Sequence, residues 1–357
     1  MLITTDFGQY KDVTPNGGIV PGGVGMFTRA SCAAPGDFWV VVGDAGGSKG
    51  WLLHSTDSGA SWHVASQLWN GSAGLGLIRF IDPRDGWLVA GDPGSNTVTF
   101  SSTHDGGVTW APLSSPSLPI AAVQSMLPAF ADPKIGFFAS SAIALSGTPP
   151  SVSAVIRSQL LTTADGGVAW GPVTLNWPSP GTPFYDQPTF YGSRGVLPVL
   201  IISGIKAGTR QPSLPTASAD VSVEMTNDGG FKWTRSTTLH LDTPVQLGIG
   251  TSVAGAPAVS PVDPQASWVT AVSQDGHIHV YRTSDGGNSW QQQNGEGLPI
   301  VARSADLRGG ATQLIELSGI TRRVAFASVM NEPSSTGMPV TYLTVDGGTH
   351  WSLFTAA

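Results

Sequence analysis

The sequence predicts an all-β fold built from repeated four-stranded antiparallel units, and three observations lead to this prediction. The chain of 357 residues contains 46 Gly and 27 Pro, and only 11% of its residues are charged. This composition suits many short strands joined by turns and suits long helices poorly. A turn motif containing Asp, Gly and Trp recurs along the chain, and short alternating or apolar runs typical of strands flank each copy.

The turn motif reads Ser/Thr-x-Asp-x-Gly-x-x-Trp in six copies. They are "STDSGASW" (55–62), "THDGGVTW" (103–110), "TADGGVAW" (163–170), "TNDGGFKW" (226–233), "TSDGGNSW" (283–290) and "TVDGGTHW" (344–351). A divergent copy, "TTDFGQYK", occupies 4–11. The aspartates are Asp6, Asp57, Asp105, Asp165, Asp228, Asp285 and Asp346, separated by 51, 48, 60, 63, 57 and 61 residues. A fixed motif at such intervals indicates a repeat architecture.

The residue types of the motif predict a hairpin that stabilises itself. A short Asp side chain accepts hydrogen bonds from nearby backbone N–H groups. The following Gly adopts positive φ without steric cost. The leading hydroxyl closes the turn, and the Trp begins the next strand with a large apolar face. Since a catalytic site is unique whereas these sites are repeated, we expect the aspartates to be structural.

Each repeat contains four strand-like runs, such as "GMFTRASCAA" and "DFWVVVGD" before the first complete motif. Four strands in this length is one blade of a β-propeller. The predicted blade units are 1–14 (partial), 24–66, 75–115, 126–176, 187–240, 253–293 and 309–354. The prediction is a single β-propeller domain over 1–357, seven-fold with one incomplete blade, with six blades as the alternative.

The repeated motif resembles the Asp-box, or bacterial neuraminidase (BNR), repeat. This family includes sialidases, xyloglucan-active hydrolases, sortilin-type receptors and photosystem II assembly factors, which share blades and not one function. The resemblance implies that the motif lies on the rim opposite the ligand-binding loop face. It also implies an extracellular or periplasmic location, although the start "MLITTDFGQYKDV" lacks the features of a signal peptide.

Three aspartates are candidate catalytic residues on the loop face. Asp44 and Asp92 each lie thirteen residues before the Asp of their repeat, in "VVGDAGGSKG" and "VAGDPGSN", which predicts neighbouring carboxylates. Asp186 is the third candidate. Glycoside hydrolases need two carboxylates about 5–10 Å apart. The alternative is that such aspartates only cap turns.

Five further residues are candidate ligand-binding residues. They are Trp69, Trp177, Tyr185, His240 and Arg303. Aromatic faces beside a carboxylate suit stacking on sugar rings, and packing within the loops is the alternative. The insert at 204–220 carries Lys206 and Arg210 and either covers the ligand face or is mobile.

Composition excludes several classes of function. The net charge is −7 and the chain has five Lys, so a nucleic-acid surface is not expected. The sequence contains no run of 18 apolar residues, so it predicts no membrane-spanning helix. We expect no metal and no cofactor, and a monomer. Cys32, the only cysteine, is expected to be an inert buried thiol.

Two functions remain. The first is a module that binds a glycan or protein ligand through its loop face, and the alternative is a glycoside hydrolase that uses a pair of loop-face carboxylates. A sialidase is a poor match. Sialidases with this repeat use an Arg-Ile-Pro motif and a Tyr–Glu pair, whereas "FTRASC" lacks the Pro and the chain has only 5 Tyr. No sialidase catalytic residue is assigned.

Overall fold

The fold is all-β, as predicted. The computed structural model describes residues 2–3, 11–44, 46, 48–71, 75–92, 97–113, 127–148, 151–175, 177, 181–208, 214–249, 253–272, 278–293, 298, 313–330 and 340–354. Over these residues the chain forms 29 strands and one short 3-10 helix, Gly17–Ile19. No helix in these ranges is long and apolar enough to cross a membrane.

Five four-stranded antiparallel sheets, each with its strands in chain order, have the blade pattern of a β-propeller. The first contains β3 (Met26–Ala34), β4 (Asp37–Gly43), β5 (Lys49–Ser55) and β6 (His63–Asn70). The second contains β7 (Leu75–Phe80), β8 (Gly86–Asp92), β9 (Thr97–Thr103) and β10 (Ala111–Leu113). The third contains β11 (Ala129–Phe130), β12 (Gly136–Ser146), β13 (Ser153–Thr163) and β14 (Gly171–Val173). The fourth contains β22 (Ala258–Asp263), β23 (Ala266–Val272), β24 (Ile278–Thr283) and β25 (Gln291–Gln292). The fifth contains β26 (Gln313–Gly319), β27 (Ala325–Met330), β28 (Val340–Thr344) and β29 (Ser352–Leu353).

The predicted blade count is therefore wrong. The structure has five four-stranded blades, not seven with one incomplete and not six. The N-terminal unit 1–14 forms only the two-stranded pair β1 (Leu2–Ile3) and β2 (Lys11–Asp12) in the described residues. The unit predicted at 187–240 belongs to a seven-stranded sheet.

The seven-stranded sheet differs from a blade because its outer strands are interrupted and one strand is added. It contains β15 (Thr182–Tyr185), β16 (Thr189–Tyr191), β17 (Arg194–Lys206), β18 (Thr216–Thr226), β19 (Thr234–Arg235), β20 (Leu239–Leu247) and β21 (Val253–Ala254). Both β15 and β16 pair with β17, and both β19 and β20 pair with β18. The segment between β15 and β16 contains Pro188, which has no N–H group to donate to a strand partner.

The described residues fall into two compact units. The first lies within Met1–Phe138 and Leu161–Pro172, and the second within Ala139–Leu160 and Val173–Thr355. The prediction of a single domain over 1–357 stays a prediction.

Within the first unit, two buried tryptophans join successive sheets. Trp39 on β4 is fully buried, stacks on Phe80 with ring centroids 4.0 Å apart, and donates from Nε1 to the carbonyl of Gly106 at 3.0 Å. Trp87 on β8 repeats this arrangement one sheet later with Phe130, at 3.5 Å, and Gly166, at 3.0 Å. Each indole thus links the second strand of one sheet to the first strand and the turn of the next.

The second unit contains a related link, in which the acceptor lies in the turn between β26 and β27 and not in a repeated motif. Trp268 on β23 is fully buried and donates from Nε1 to the carbonyl of Thr321 at 3.0 Å. Gly319 takes the place of the stacking Phe, because a Cβ there would lie only 2.7 Å from Cδ1 of Trp268. The indole lies within a core cluster that also includes Ala325 and Trp351.

Candidate functional site

The six complete turn motifs share one hydrogen-bond pattern, and the turn at 103–110 illustrates it. The hydroxyl of Thr103 donates to Oδ1 of Asp105 at 2.8 Å and accepts from the Gly107 N–H at 2.9 Å. Oδ1 of Asp105 also accepts from the Thr109 N–H at 2.9 Å. Gly106 and Gly107 have φ of 77° and 90°, which side chains rarely tolerate. Equivalent bonds occur at Asp57, Asp165, Asp228, Asp285 and Asp346.

The same bonds lower the pKa of the turn aspartates. The Ser61 hydroxyl and N–H hold the pKa of Asp57 at about 2, and Thr109 does the same for Asp105, also to about 2. Both carboxylates are therefore ionised and occupied within their own turns at neutral pH. Asp6 lies outside the described residues. That the turn aspartates are purely structural, and that the turns are Asp-boxes of the family named above, stay predictions.

The candidate catalytic aspartates have different surroundings. Asp44 follows β4 and accepts from the Ser48 hydroxyl at 2.8 Å and from the Lys49 N–H at 3.2 Å, so it holds the β4–β5 turn. These bonds, the Ser48 hydroxyl first, lower the pKa of Asp44. Asp92 ends β8, and its side chain lies outside the described residues, so its pairing with Asp44 stays a prediction. Asp186 is exposed and accepts from the Gln187 N–H at 2.7 Å.

The candidate ligand-binding aromatic residues are packed within the sheets. Trp69 lies on β6, not in a loop, and is half-buried against the core of the first unit. Its ring covers Gly50, where an added Cβ would lie 2.2 Å from the indole. Tyr185 on β15 is only 5% exposed. His240, by contrast, is exposed beside Asp220 at 3.0 Å. Arg303 lies outside the described residues.

Trp177 and Tyr185 meet in a polar cluster with two residues that the sequence did not single out, Glu224 and Arg235. Nε1 of Trp177 donates to the Tyr185 hydroxyl at 2.8 Å, and the Arg235 guanidinium lies 3.9 Å from the Trp177 ring centroid. Nε of Arg235 donates to Oε1 of Glu224 at 2.7 Å. Strand alternation was the available signal, because Ser222 and Glu224 share the face of β18 opposite Val221 and Val223.

The cluster has the electrostatics of a buried ion pair. The Glu224 side chain is 3% exposed and that of Arg235 is 25% exposed. Burial raises the pKa of Glu224, and Arg235 opposes this shift. Burial also raises the pKa of Tyr185. Because Glu224 and Tyr185 are enclosed, the cluster stiffens the sheet and presents little surface to a ligand.

No metal site can be assembled from the described residues. These residues contain no group of three His, Cys, Asp or Glu side chains that could hold an ion. Cys32 is exposed, contrary to expectation, and its thiol donates to the carbonyl of Ala34 at 3.2 Å. It lies near the end of β3, opposite Phe38, and the β3–β4 register becomes irregular directly after it.

Four large aliphatic side chains of the second unit are exposed near the ends of β13, β17, β18 and β20. We call Val155, Ile205, Leu214 and Ile249 the tip patch, and their exposures are 50%, 38%, 38% and 76%. Val152 and Gly208 form an antiparallel bridge that joins the tip of β12–β13 to that of β17–β18. Val155 and Ile205 each lie three residues along the chain from this bridge.

The other half of the tip patch is placed by β20. The Leu247 N–H donates to the carbonyl of Pro215 at 2.9 Å, and Leu214 and Ile249 lie within two residues of this bond along the chain. Thr216 pairs with both Lys206 and Gln246, so the ends of β17, β18 and β20 lie together. A small core that includes Ile202, Ala217 and Leu247 supports these ends. Within the insert at 204–220, residues 204–206 end β17 and residues 216–220 begin β18, while Arg210 lies outside the described residues.

Comparisons with known proteins leave the family open. No protein-family model matches the chain. No curated protein matches it either. Solved structures do match, but with low identity, and those named below are β-propeller proteins.

Three of the similar structures illustrate their range. YCF48 from Cyanidioschyzon merolae is 14% identical, with a TM-score of 0.42, over 94% of this chain and 87% of that one. The GH74 xyloglucanase from Xanthomonas campestris is 16% identical, with a TM-score of 0.47, over 98% of this chain and 48% of that one. The GH93 alpha-L-arabinofuranosidase of Fusarium graminearum, solved with arabinobiose, is 12% identical, with a TM-score of 0.42, over 89% and 92%. Likeness at this level assigns no function to the chain.

Proposed function

We propose that this chain is a binding module that docks a partner protein through the tip patch. The observation that carries the proposal is the exposure of four large aliphatic side chains at the ends of supported hairpins. Soluble proteins seldom group such residues on an open surface unless the surface is an interaction site. The exposed cations Arg157, on β13, and Lys206, at the end of β17, give the apolar patch a polar rim.

The side-chain types favour a protein over a glycan as the ligand. Sugar rings stack on flat aromatic faces, and the candidate aromatic residues Trp69 and Tyr185 are instead packed into their sheets. The aliphatic side chains of the tip patch fit the apolar centre of a protein interface. An extracellular or periplasmic location belongs to this proposal, and it rests on the motif resemblance alone.

The hydrolase alternative needs two carboxylates facing a cleft. Asp44 is held in its own turn by Ser48 and Lys49. Because its carboxylate stabilises local structure, the proposal assigns it a capping role and not a catalytic one. The hydrolase alternative is tested by replacing Asp44 and Asp92 together.

The experiment compares three proteins in a crosslinking pull-down: wild type, the double variant Ile205→Ser/Ile249→Ser and the control Val108→Ser. Val108 is an exposed aliphatic residue, like those of the tip patch, but it lies in a turn of the first unit, where it is 59% exposed. A protein captured by wild type and control is then purified, and its affinity is measured by calorimetry. We expect the double variant to lose roughly tenfold or more in affinity, as for interface anchors.

Two results contradict the proposal. The first is equal binding of the purified partner by wild type and the double variant. The second is turnover in a glycosidase panel that disappears in Asp44→Asn/Asp92→Asn, which supports the hydrolase. Thermal unfolding of each variant verifies that the fold is retained.

A further inference from the structure

A groove of about 770 Å³ lies beside the turn at 344–351, away from the tip patch. Its walls come from the end of β22, the turn after β26 and the turn after β28. The lining residues that matter are Val262, Asp263, Ile320, Arg322, Arg323 and Val345. The groove is shallow and wide open to solvent, as a site for an extended segment of another chain would be.

The groove is held in shape by hydrogen bonds. Arg322 donates to both oxygens of Asp263, at 2.7 and 3.0 Å, and so ties the turn after β26 to the end of β22. Nη1 of Arg282 donates to the carbonyl of Arg322 at 2.6 Å. The Thr321 hydroxyl accepts from the N–H groups of Arg323, at 3.1 Å, and Val324, at 3.0 Å. These bonds hold the walls of the groove together.

The groove leaves one positive charge and two apolar side chains free for a ligand. Arg323 is exposed, and its guanidinium has no hydrogen-bond or ion-pair partner among the described residues. The charges of Arg322 and Asp263 offset one another. Ile320 and Val345 are 46% and 55% exposed. A local positive charge stands out on a chain whose net charge is −7.

We propose that the groove binds an acidic, aliphatic peptide segment of a partner protein. A carboxylate of the segment pairs with the Arg323 guanidinium, whose planar donors suit a bidentate contact. An aliphatic side chain beside that carboxylate packs on Ile320 and Val345. Charge complementarity selects this occupant, because the acidic chain as a whole repels acidic peptides and only a local cation attracts one. This site is independent of the tip patch.

The test measures the fluorescence anisotropy of a short fluorescein-labelled peptide of alternating Glu and Leu. Its charge-reversed counterpart contains Lys and Leu. The proteins are wild type, Arg323→Gln, Ile320→Ser and the control Arg194→Gln, which removes an exposed arginine on β17. We expect binding of the acidic peptide only, roughly tenfold weaker binding by Arg323→Gln, and unchanged binding by the control. Added salt weakens the wild-type complex.

Several outcomes overturn the proposal. These are no binding of the acidic peptide by wild type, equal binding of both peptides, or wild-type affinity in Arg323→Gln. Retention of wild type, but not Arg323→Gln, on phosphatidylserine vesicles without peptide binding assigns the groove to a lipid headgroup instead. If Ile320→Ser fails to fold, the exposed substitution Arg323→Gln decides the result.

Discussion

Replacing Thr103 by Val removes one hydroxyl from a repeated turn and leaves the shape of the side chain almost unchanged. Thr103 is 1% exposed. Its hydroxyl accepts from the Gly107 N–H at 2.9 Å and donates to Asp105 at 2.8 Å. Gly107 is itself buried, so water cannot replace the lost acceptor. The substitution therefore isolates the contribution of the turn hydroxyl.

The expected cost follows from the two hydrogen bonds that are lost, one of which leaves the Gly107 N–H without an acceptor. A buried donor that loses its acceptor costs about 1–3 kcal/mol, and the bond to the Asp105 carboxylate adds to this. Val fills the same volume, so no cavity contributes. We expect Thr103→Val to lower the free energy of unfolding by about 2 kcal/mol.

Urea unfolding followed by tryptophan fluorescence measures this change. The matched control is Thr99→Val, which makes the same substitution at an exposed site on the same strand, β9. We expect the control to stay within about 0.5 kcal/mol of wild type. Equal effects of the two substitutions would refute the argument that the buried hydroxyl stabilises the turn.

Three further predictions concern stability. Trp39→Ala removes a fully buried side chain and should lower the free energy of unfolding by about 3–5 kcal/mol in urea unfolding, whereas Trp290→Ala should cost less because Trp290 is only partly buried. Arg235→Met leaves buried Glu224 unpaired, which typically costs about 3–5 kcal/mol at neutral pH. Because the pKa of Glu224 is raised, acidification from pH 7 toward 5 should recover part of this loss in thermal unfolding. In wild type, the pKa of Asp105 is lowered from 3.8 to about 2, so its ionised carboxylate stabilises the fold fully above the unfolded value and less as the pH falls. We therefore expect the melting temperature to fall between pH 4 and pH 2. A melting temperature that does not change over this range contradicts the prediction.

The repeat motif predicts the strands and turns well because its determinants are local. The Ser/Thr hydroxyl, the Asp and the Gly each act within a few residues, so a short sequence window contains the whole interaction. The hydrogen bonds among Thr103, Asp105 and Gly107 involve the residue types that led to the prediction of a self-stabilising hairpin. The all-β class follows for the same reason.

The features that the sequence did not reveal depend on contacts between distant residues. Trp39 donates a hydrogen bond to Gly106, 67 positions away, and the sequence around Trp39 contains no pattern that predicts this bond. Trp69 was expected in a loop, but β6 continues to Asn70 and turns the ring toward the core. The blade count failed because strand interruption and the added strand β21 depend on pairing across the sheet, which repeat spacing does not encode.

The contrast between the two ends of the strands explains why the docking surface of the proposed function lies at the tips. At the turn end, all six complete copies make the same bonds. At the other end, β8 has 7 residues, β12 has 11 and β17 has 13. Side chains alternate with a period of two, so adding pairs of residues lengthens a hairpin and keeps its faces in register. Register near the turn, as between Gly195 and Thr226, is held by the fixed bonds and continues to Ser203 and Ser218. Beyond a shift of one residue, pairing resumes between Lys206 and Thr216 at the far end. Extension therefore costs the sheet little and creates new surface, and the tip patch lies on the most extended hairpins in the described chain.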